Sequence, residues 1–220
     1  MTPIRLVCFD LGGVLVKICR SWAEGCRAAG LPVRGNSAGD AAGRVRRELM
    51  RRFGTGALSE AEWAAQLSSA LHGLYSPEEL RRIHHAWTQR EYAGALELVD
   101  ALHDAGAETA CLSNTNQSHW ARLVHSDGER ARAGAPEYPS VLRLRHHHAS
   151  HLLGVAKPNL AIYERFERAT GCTGEQILFF DDLNENVEAA RARGWRAERV
   201  NPRAETVPQL RRALARHRVL

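Results

Sequence analysis

The chain has 220 residues, 44% of them hydrophobic and 25% charged, which suits a globular α/β domain with an insertion and excludes a disordered or fibrous protein. Its net charge is +5, and 28 of the 30 basic residues are arginine, only Lys17 and Lys157 being lysine. The arginines at 44–52 and 211–218 have no interleaved aromatics, so they read as solvated helix faces and no nucleic-acid partner is expected.

Ile4 to Phe9 is apolar and runs into Asp10 and Gly12-Gly13, the pattern of a buried strand delivering an acid into a tight turn. The same start has too short an apolar run for a signal peptide or a membrane span, so a cytoplasmic protein with no membrane partner is expected. Five scattered cysteines without a C-x-x-C pair suggest neither a disulfide framework nor a cysteine zinc site.

From about Cys19 to Tyr92 no strand is expected. Helices are predicted at Ser21–Ala29, Ala41–Phe53, Ser59–Leu71 and Ser76–Arg90, and the last two open with a serine cap followed by early acids. The pattern then alternates. Helices are predicted at Leu96–Ala105, Gln117–Val124, Asn159–Thr170, Asn184–Arg193 and Val207–Arg216. Strands are predicted at Glu108–Leu112, Leu144–Ala149, Gln176–Phe180 and Arg196–Val200, and an irregular stretch around Gly128, Gly134, Pro136 and Pro139 separates the two halves.

Such alternation implies a parallel sheet covered on both faces. The fold class expected is therefore α/β: a doubly wound, Rossmann-like core at residues 1–17 and 93–220, interrupted by a helical block at 18–92. Ligands of such sheets bind beyond the carboxyl ends of the strands, and those ends carry Asp10, Ser113-Asn114 and Asp181-Asp182. Three carboxylates at one edge repel one another unless a hard cation such as Mg²⁺ sits among them. Lys157, one of two lysines in an arginine-rich chain, fits a place that needs a compact charge. Nucleophile, metal, cation and hydrogen-bond donors are the parts of phosphoryl transfer.

These residues resemble the haloacid dehalogenase-like hydrolases. Phe9-Asp10-Leu11-Gly12-Gly13-Val14-Leu15 looks like the family's first motif, Leu112-Ser113-Asn114-Thr115-Asn116 its second, Lys157-Pro158 its third and Phe179-Phe180-Asp181-Asp182 its fourth. With Glu137-Tyr138-Pro139, the set is similar to bacterial sugar-phosphate phosphatases acting on α-D-glucose 1-phosphate, and also to the phosphatase-like domain of soluble epoxide hydrolases. The resemblance implies that the helical block is a cap and that the substrate is a small phosphorylated metabolite. It makes Asp10 the nucleophile that becomes an aspartyl-phosphate, and places magnesium on Asp10, the Gly12 carbonyl and Asp182, with Asp181 close by. Ser113, Asn114, Gly12 and Gly13 would hold the phosphate, Lys157 would bridge it to Asp10, and Asn186 would orient Asp182.

One departure matters: most phosphatases of this superfamily carry a second Asp two places after the nucleophile, and here Gly12 stands there. The loss of a general acid costs on the order of 10²–10⁴ in rate, so slow turnover is expected. A catalytically silent phosphate-binding or interaction protein is the alternative. Dehalogenation is disfavoured because Asp181-Asp182 would repel a carboxylate substrate. Lys17, Arg20 and Trp22 open the cap and are candidates for substrate specificity. Lys17 adds positive charge where the sugar phosphatases are acidic, which hints at additional negative charge on the substrate. The His146-His147-His148 run with His151 falls on a strand and its turn, where neighbours face opposite ways, so no metal site is assigned to it.

Overall fold

The computed structural model describes residues 2–124 and 138–220. Five parallel strands form the central sheet: β1 (Leu6–Phe9), β4 (Glu108–Ser113), β5 (His146–Ala149), β6 (Ile177–Asp181) and β7 (Arg196–Arg199), in the spatial order β5-β4-β1-β6-β7. The chain winds outward from β1 to one edge and then returns to build the other, so the sheet is doubly wound as expected.

Strand β1 is buried along its whole length because it is covered on both sides. Its side chains alternate: Val7 and Phe9 enter one core with Leu178, Phe180 and Leu98, whereas Leu6 and Cys8 enter the other with Ile177, Phe179 and Tyr163. The helices between strands supply the opposite walls of both cores. All five cysteines are unpaired and buried, where they pack as small apolar side chains.

Residues 22–85 hold four helices, α1 (Trp22–Ala28), α2 (Asp40–Gly54), α3 (Glu60–Ala70) and α4 (Pro77–His85). They pack around a third core of their own, built on Trp22, Phe53, Trp63, Leu67, Tyr75 and Ile83. Ser59 and Ser76 each form a reciprocal capping box, with Glu62 and Glu79.

Two expectations change. The fourth helix stops at His85 instead of reaching Arg90, and Thr88–Glu91 is a strand, β3, antiparallel to β2 (Val16–Ile18). The chain leaves the core along β2 and returns along β3, so the ribbon fastens both ends of the helical unit together. Thr88-Gln89-Arg90-Glu91 is polar and lacks apolar alternation; its strand form comes from a partner some seventy residues earlier in the chain. A short helix at Pro139–Arg143 precedes β5, which is confined to His146–Ala149. Gly128, Gly134, Pro136 and Glu137 lie outside the described residues.

Candidate active site

Phe9 ends β1, and Asp10 follows with its amide N–H donating to the Phe180 carbonyl at 2.8 Å. The chain then turns sharply, with the N–H groups of Val14, Leu15 and Val16 all directed at the Leu11 carbonyl. Gly13 has φ +84°, and a Cβ there would lie 2.0 Å from the Arg20 guanidinium and 2.9 Å from Asp182 Oδ2, so only glycine fits. At Gly12 the backbone allows a side chain, but Ile18 of the ribbon comes within 3.1 Å of where its Cβ would stand. The space in which a second Asp would work is thus partly filled from the ribbon.

The sheet brings the predicted acids together. Carboxylate oxygens of Asp10, Asp181 and Asp182 lie within 4.8 Å of one another, the sole such cluster of possible metal ligands among the described residues. Lys157 Nζ reaches them from the loop before helix α9 (Leu160–Thr170), 3.0 Å from Asp10 Oδ1 and 2.7 Å from Asp181 Oδ2, with its side chain 1% exposed. Burial disfavours the Lys157 charge, yet Asp10 and Asp181 outweigh it and hold its pKa above the usual lysine value. At Asp10 burial pushes the carboxyl up to about 6 against the pull of Lys157, and the neighbouring charges of Asp181 and Asp182 add to the rise.

The three acids are not equivalent. Asp181 is fully buried and its oxygens are already engaged: Oδ1 accepts from the Leu183 amide and Asn186, and Oδ2 accepts from Lys157 and Asn186. Asp10 Oδ1, by contrast, has no aligned hydrogen-bond donor. Asp182 meets a single cation, Arg20, at 2.6 Å, and burial raises its pKa against that partner's pull. Asp10 and Asp182 therefore have coordinating capacity to spare for a divalent cation, whereas Asp181 is spent on holding Lys157. The donor set suits a hard oxygen-seeking cation.

The structure also reassigns some polar residues. Asn186 grips Asp181, not Asp182, because the helix that starts at Asn184 carries its amide back toward the end of β6. Asn114 spends its side-chain amide on the Lys157 backbone, donating to the carbonyl and accepting from the N–H, both at 2.9 Å, so its side chain positions the lysine. Ser113, at the buried end of β4, lines the same cavity as Lys157.

That cavity, of about 780 Å³, lies between the sheet edge and the helical unit. Gly12, Ser113 and Lys157 line its floor, and Arg20 and Trp22 its wall. Lys17 turns elsewhere, pairing with Glu205 at 2.8 Å over the Tyr92 ring. The opposing wall contains Arg46, Arg47 and Arg51, from the run that reads as a solvated face in the sequence. Gly43, Met50 and Gly54 share this face, and the spacing of three and four residues between these positions was the available signal. The histidine run divides as its strand requires: His147 bonds the Val141 carbonyl beside Trp120, and His148 packs edge-on to Phe166.

The pattern of haloacid dehalogenase-like hydrolases matches residues 4–194. The chain belongs to that family. Over 58 residues it is 38% identical to "Phosphatase MT3486" of Mycobacterium tuberculosis, a match that spans 26% of this chain and 27% of that protein. Its fold is similar to a predicted HAD-like family hydrolase from Porphyromonas gingivalis, with a TM-score of 0.74 at 22% identity, covering 97% and 98% of the two chains. It is also similar to the HAD family enzyme bt-2542 of Bacteroides thetaiotaomicron in complex with magnesium and inorganic phosphate, with a TM-score of 0.67 at 18% identity over 90% and 95%.

Proposed function

We propose that this hydrolase is a magnesium-dependent phosphatase acting on a small phosphorylated metabolite, with a sugar phosphate favoured. The observation that carries the reading is the placement of Lys157, which lines a cavity of small-molecule size, between Asp10 and Asp181, with Asp182 clustered beside them. The family membership and the bound magnesium and phosphate of the bt-2542 relative support it. Unpaired cysteines fit a reducing cytoplasm, and among the described residues no helix is long and apolar enough to cross a membrane.

In this reading a carboxylate oxygen of Asp10 bonds to phosphorus as the ester P–O bond breaks, giving an aspartyl-phosphate and an alkoxide that takes its proton from water. Water then attacks the phosphorus, releasing inorganic phosphate and restoring the carboxylate. Lys157 offsets negative charge on Asp10 and on the transferred group, and Ser113 and the Gly12 backbone N–H orient the phosphoryl oxygens; the Gly13 N–H, expected to share that role, instead donates to the Val16 carbonyl at 2.7 Å. Magnesium held by Asp10, Asp182 and the Gly12 carbonyl would neutralise phosphoryl charge when bound. Gly12 offers no proton to the departing alkoxide, which favours a leaving group of low pKa such as an anomeric hydroxyl and makes turnover slow. The helical unit acts as a cap that closes over the substrate.

Gly12 together with the ion pair of Arg20 on Asp182 motivates a second reading, a phosphate-binding protein without turnover. Incubation with magnesium and a panel of phosphate esters separates the two. Phosphate release that vanishes in Asp10→Asn supports the phosphatase; binding without release in the wild type supports the silent protein.

A further inference from the structure

Arg46 and Arg47 sit side by side on α2 and face the cavity whose floor carries Lys157. Their guanidinium groups converge: Arg47 Nη1 and Arg46 Nη2 lie 3.4 and 3.6 Å from the point where a Cβ on Gly43 would stand. The other polar partners nearby do not neutralise them. Arg46 donates to the Ser37 carbonyl and lies over the Trp22 ring at 4.6 Å, and burial and the Arg47 charge both lower its pKa. Among the described residues neither arginine has a carboxylate partner, whereas Arg51 on the same wall is paired with Glu48 at 2.7 Å.

Two like charges held together on the wall of a cavity repel each other, and an anion between them relieves that repulsion. We infer that Arg46 and Arg47, converging over Gly43, form a second anion subsite, and that the substrate is a phosphate ester with a further phosphate or carboxylate at its far end. The inference rests on the phosphatase reading for its first subsite. The apolar side chains of Trp22, Met50, Ile83 and Trp87 line the cavity along with these cations, which suits an organic body between the two anionic ends.

Inorganic phosphate with magnesium is the first probe, followed by calorimetry. Wild type binds two phosphates per chain, and the Arg46→Gln/Arg47→Gln protein binds one. Arg47→Glu, at an exposed position, serves as the variant least able to disturb the fold, and its retained thermal unfolding midpoint checks this. A stoichiometry of one in the wild type that neither variant alters overturns the subsite, whatever the enzyme does. The second probe is kinetic: glucose 1-phosphate, glucose 1,6-bisphosphate and glucuronic acid 1-phosphate share one leaving group and differ in the far anion. A single charge-assisted contact corresponds to about tenfold or more, so one of the two anionic esters exceeds the neutral one by that factor in kcat/KM, and the ratio collapses toward one in the double variant. Equal kcat/KM for all three, with release abolished by Asp10→Asn, sinks the second subsite and leaves the phosphatase standing. No Asp10-dependent release from any ester panel, with two phosphates still bound, does the reverse.

Discussion

The carboxyl edge of the sheet and the wall of the helical unit facing it both concentrate charge, but they treat it in opposite ways. At the sheet edge, Lys157 is matched to Asp10 and Asp181, and Asp181 has no unused lone pair directed into the cavity. Across the cavity, Arg46 and Arg47 converge without any carboxylate among the described residues to meet them. A charge set that is satisfied by its own protein is a rigid device, prepared before substrate arrives. A set left unsatisfied is completed by what binds. On the proposed function, the chemistry is built into the strand ends and the choice of substrate into the helical unit.

The largest break in this comparison comes from Lys157→Met. It leaves buried Asp10 and Asp181 facing each other without the cation, and the loss of one partner from a buried ion pair costs about 3–5 kcal/mol. Phosphate release falls with it, on the order of 10²–10³, the effect of losing one preorganised charge stabiliser. Denaturant unfolding and phosphate assays on the same protein check both. Unchanged stability would mean that the sheet edge is not held by this charge set.

Asp181 and Asp182 then sharpen the contrast within the edge itself. Asp182→Asn raises the magnesium concentration needed for half-maximal activity by roughly 10–100-fold, because it removes a coordinating oxygen. Asp181→Asn lowers kcat by a similar factor with little change in the magnesium requirement, because its role is to position Lys157. Should the two variants shift the magnesium requirement equally, the division of labour read from their hydrogen bonds is wrong.

The seam between the regions responds to acid. His84 of the helical unit stacks on His119 of the core with ring centroids 3.7 Å apart, and the His119 Nε2–H donates to the His84 carbonyl at 2.7 Å. Burial lowers the His119 pKa to about 4 and lowers that of His84 as well. Both groups are held neutral in the fold and take protons more readily when unfolded, so their contribution is complete above about pH 6.5 and is lost as pH falls toward 4. For His119 the loss is on the order of 3 kcal/mol, visible as a lower unfolding midpoint at pH 4.5 than at pH 7 that shrinks in His119→Phe. A midpoint independent of pH over that range contradicts the neutral stacked pair.

What was legible in the sequence follows the same division. Strand ends announce themselves, since an apolar run must stop where Asp10 or Asp181 begins, and the four motifs place the acids, Ser113 and Lys157 in order. Partners within the edge were not legible. Asn186 was expected on Asp182 and serves Asp181, and the hold of the Asn114 side chain on the Lys157 backbone was not foreseen, because a side-chain amide's choice depends on ångström-scale directions that spacing does not encode. The ribbon strand at Thr88–Glu91 was hidden by its polar composition and a distant partner. The arginine run on α2 showed its charge but not its facing, which is set by how the cap's own core turns Leu49 and Phe53 inward.

Arg20 belongs to neither region cleanly, and it gives the smallest and most discriminating test. It stands where the ribbon leads into the helical unit, yet its guanidinium reaches across to Asp182 Oδ2 at 2.6 Å, passing over the Gly13 backbone that has no side chain to block it. A divalent cation seeking the same oxygen has to compete with that contact. Ion pairs that stay partly exposed on one side are worth at most about 1 kcal/mol, so Arg20→Ala should tighten magnesium binding by roughly three- to fivefold, read by calorimetry on Asp10-containing protein without substrate. If the affinity falls instead, Arg20 supports the cation site and is not a rival for it. The sheet edge would then depend on the helical unit for its assembly, and the separation between a prepared edge and a substrate-completed wall would no longer hold.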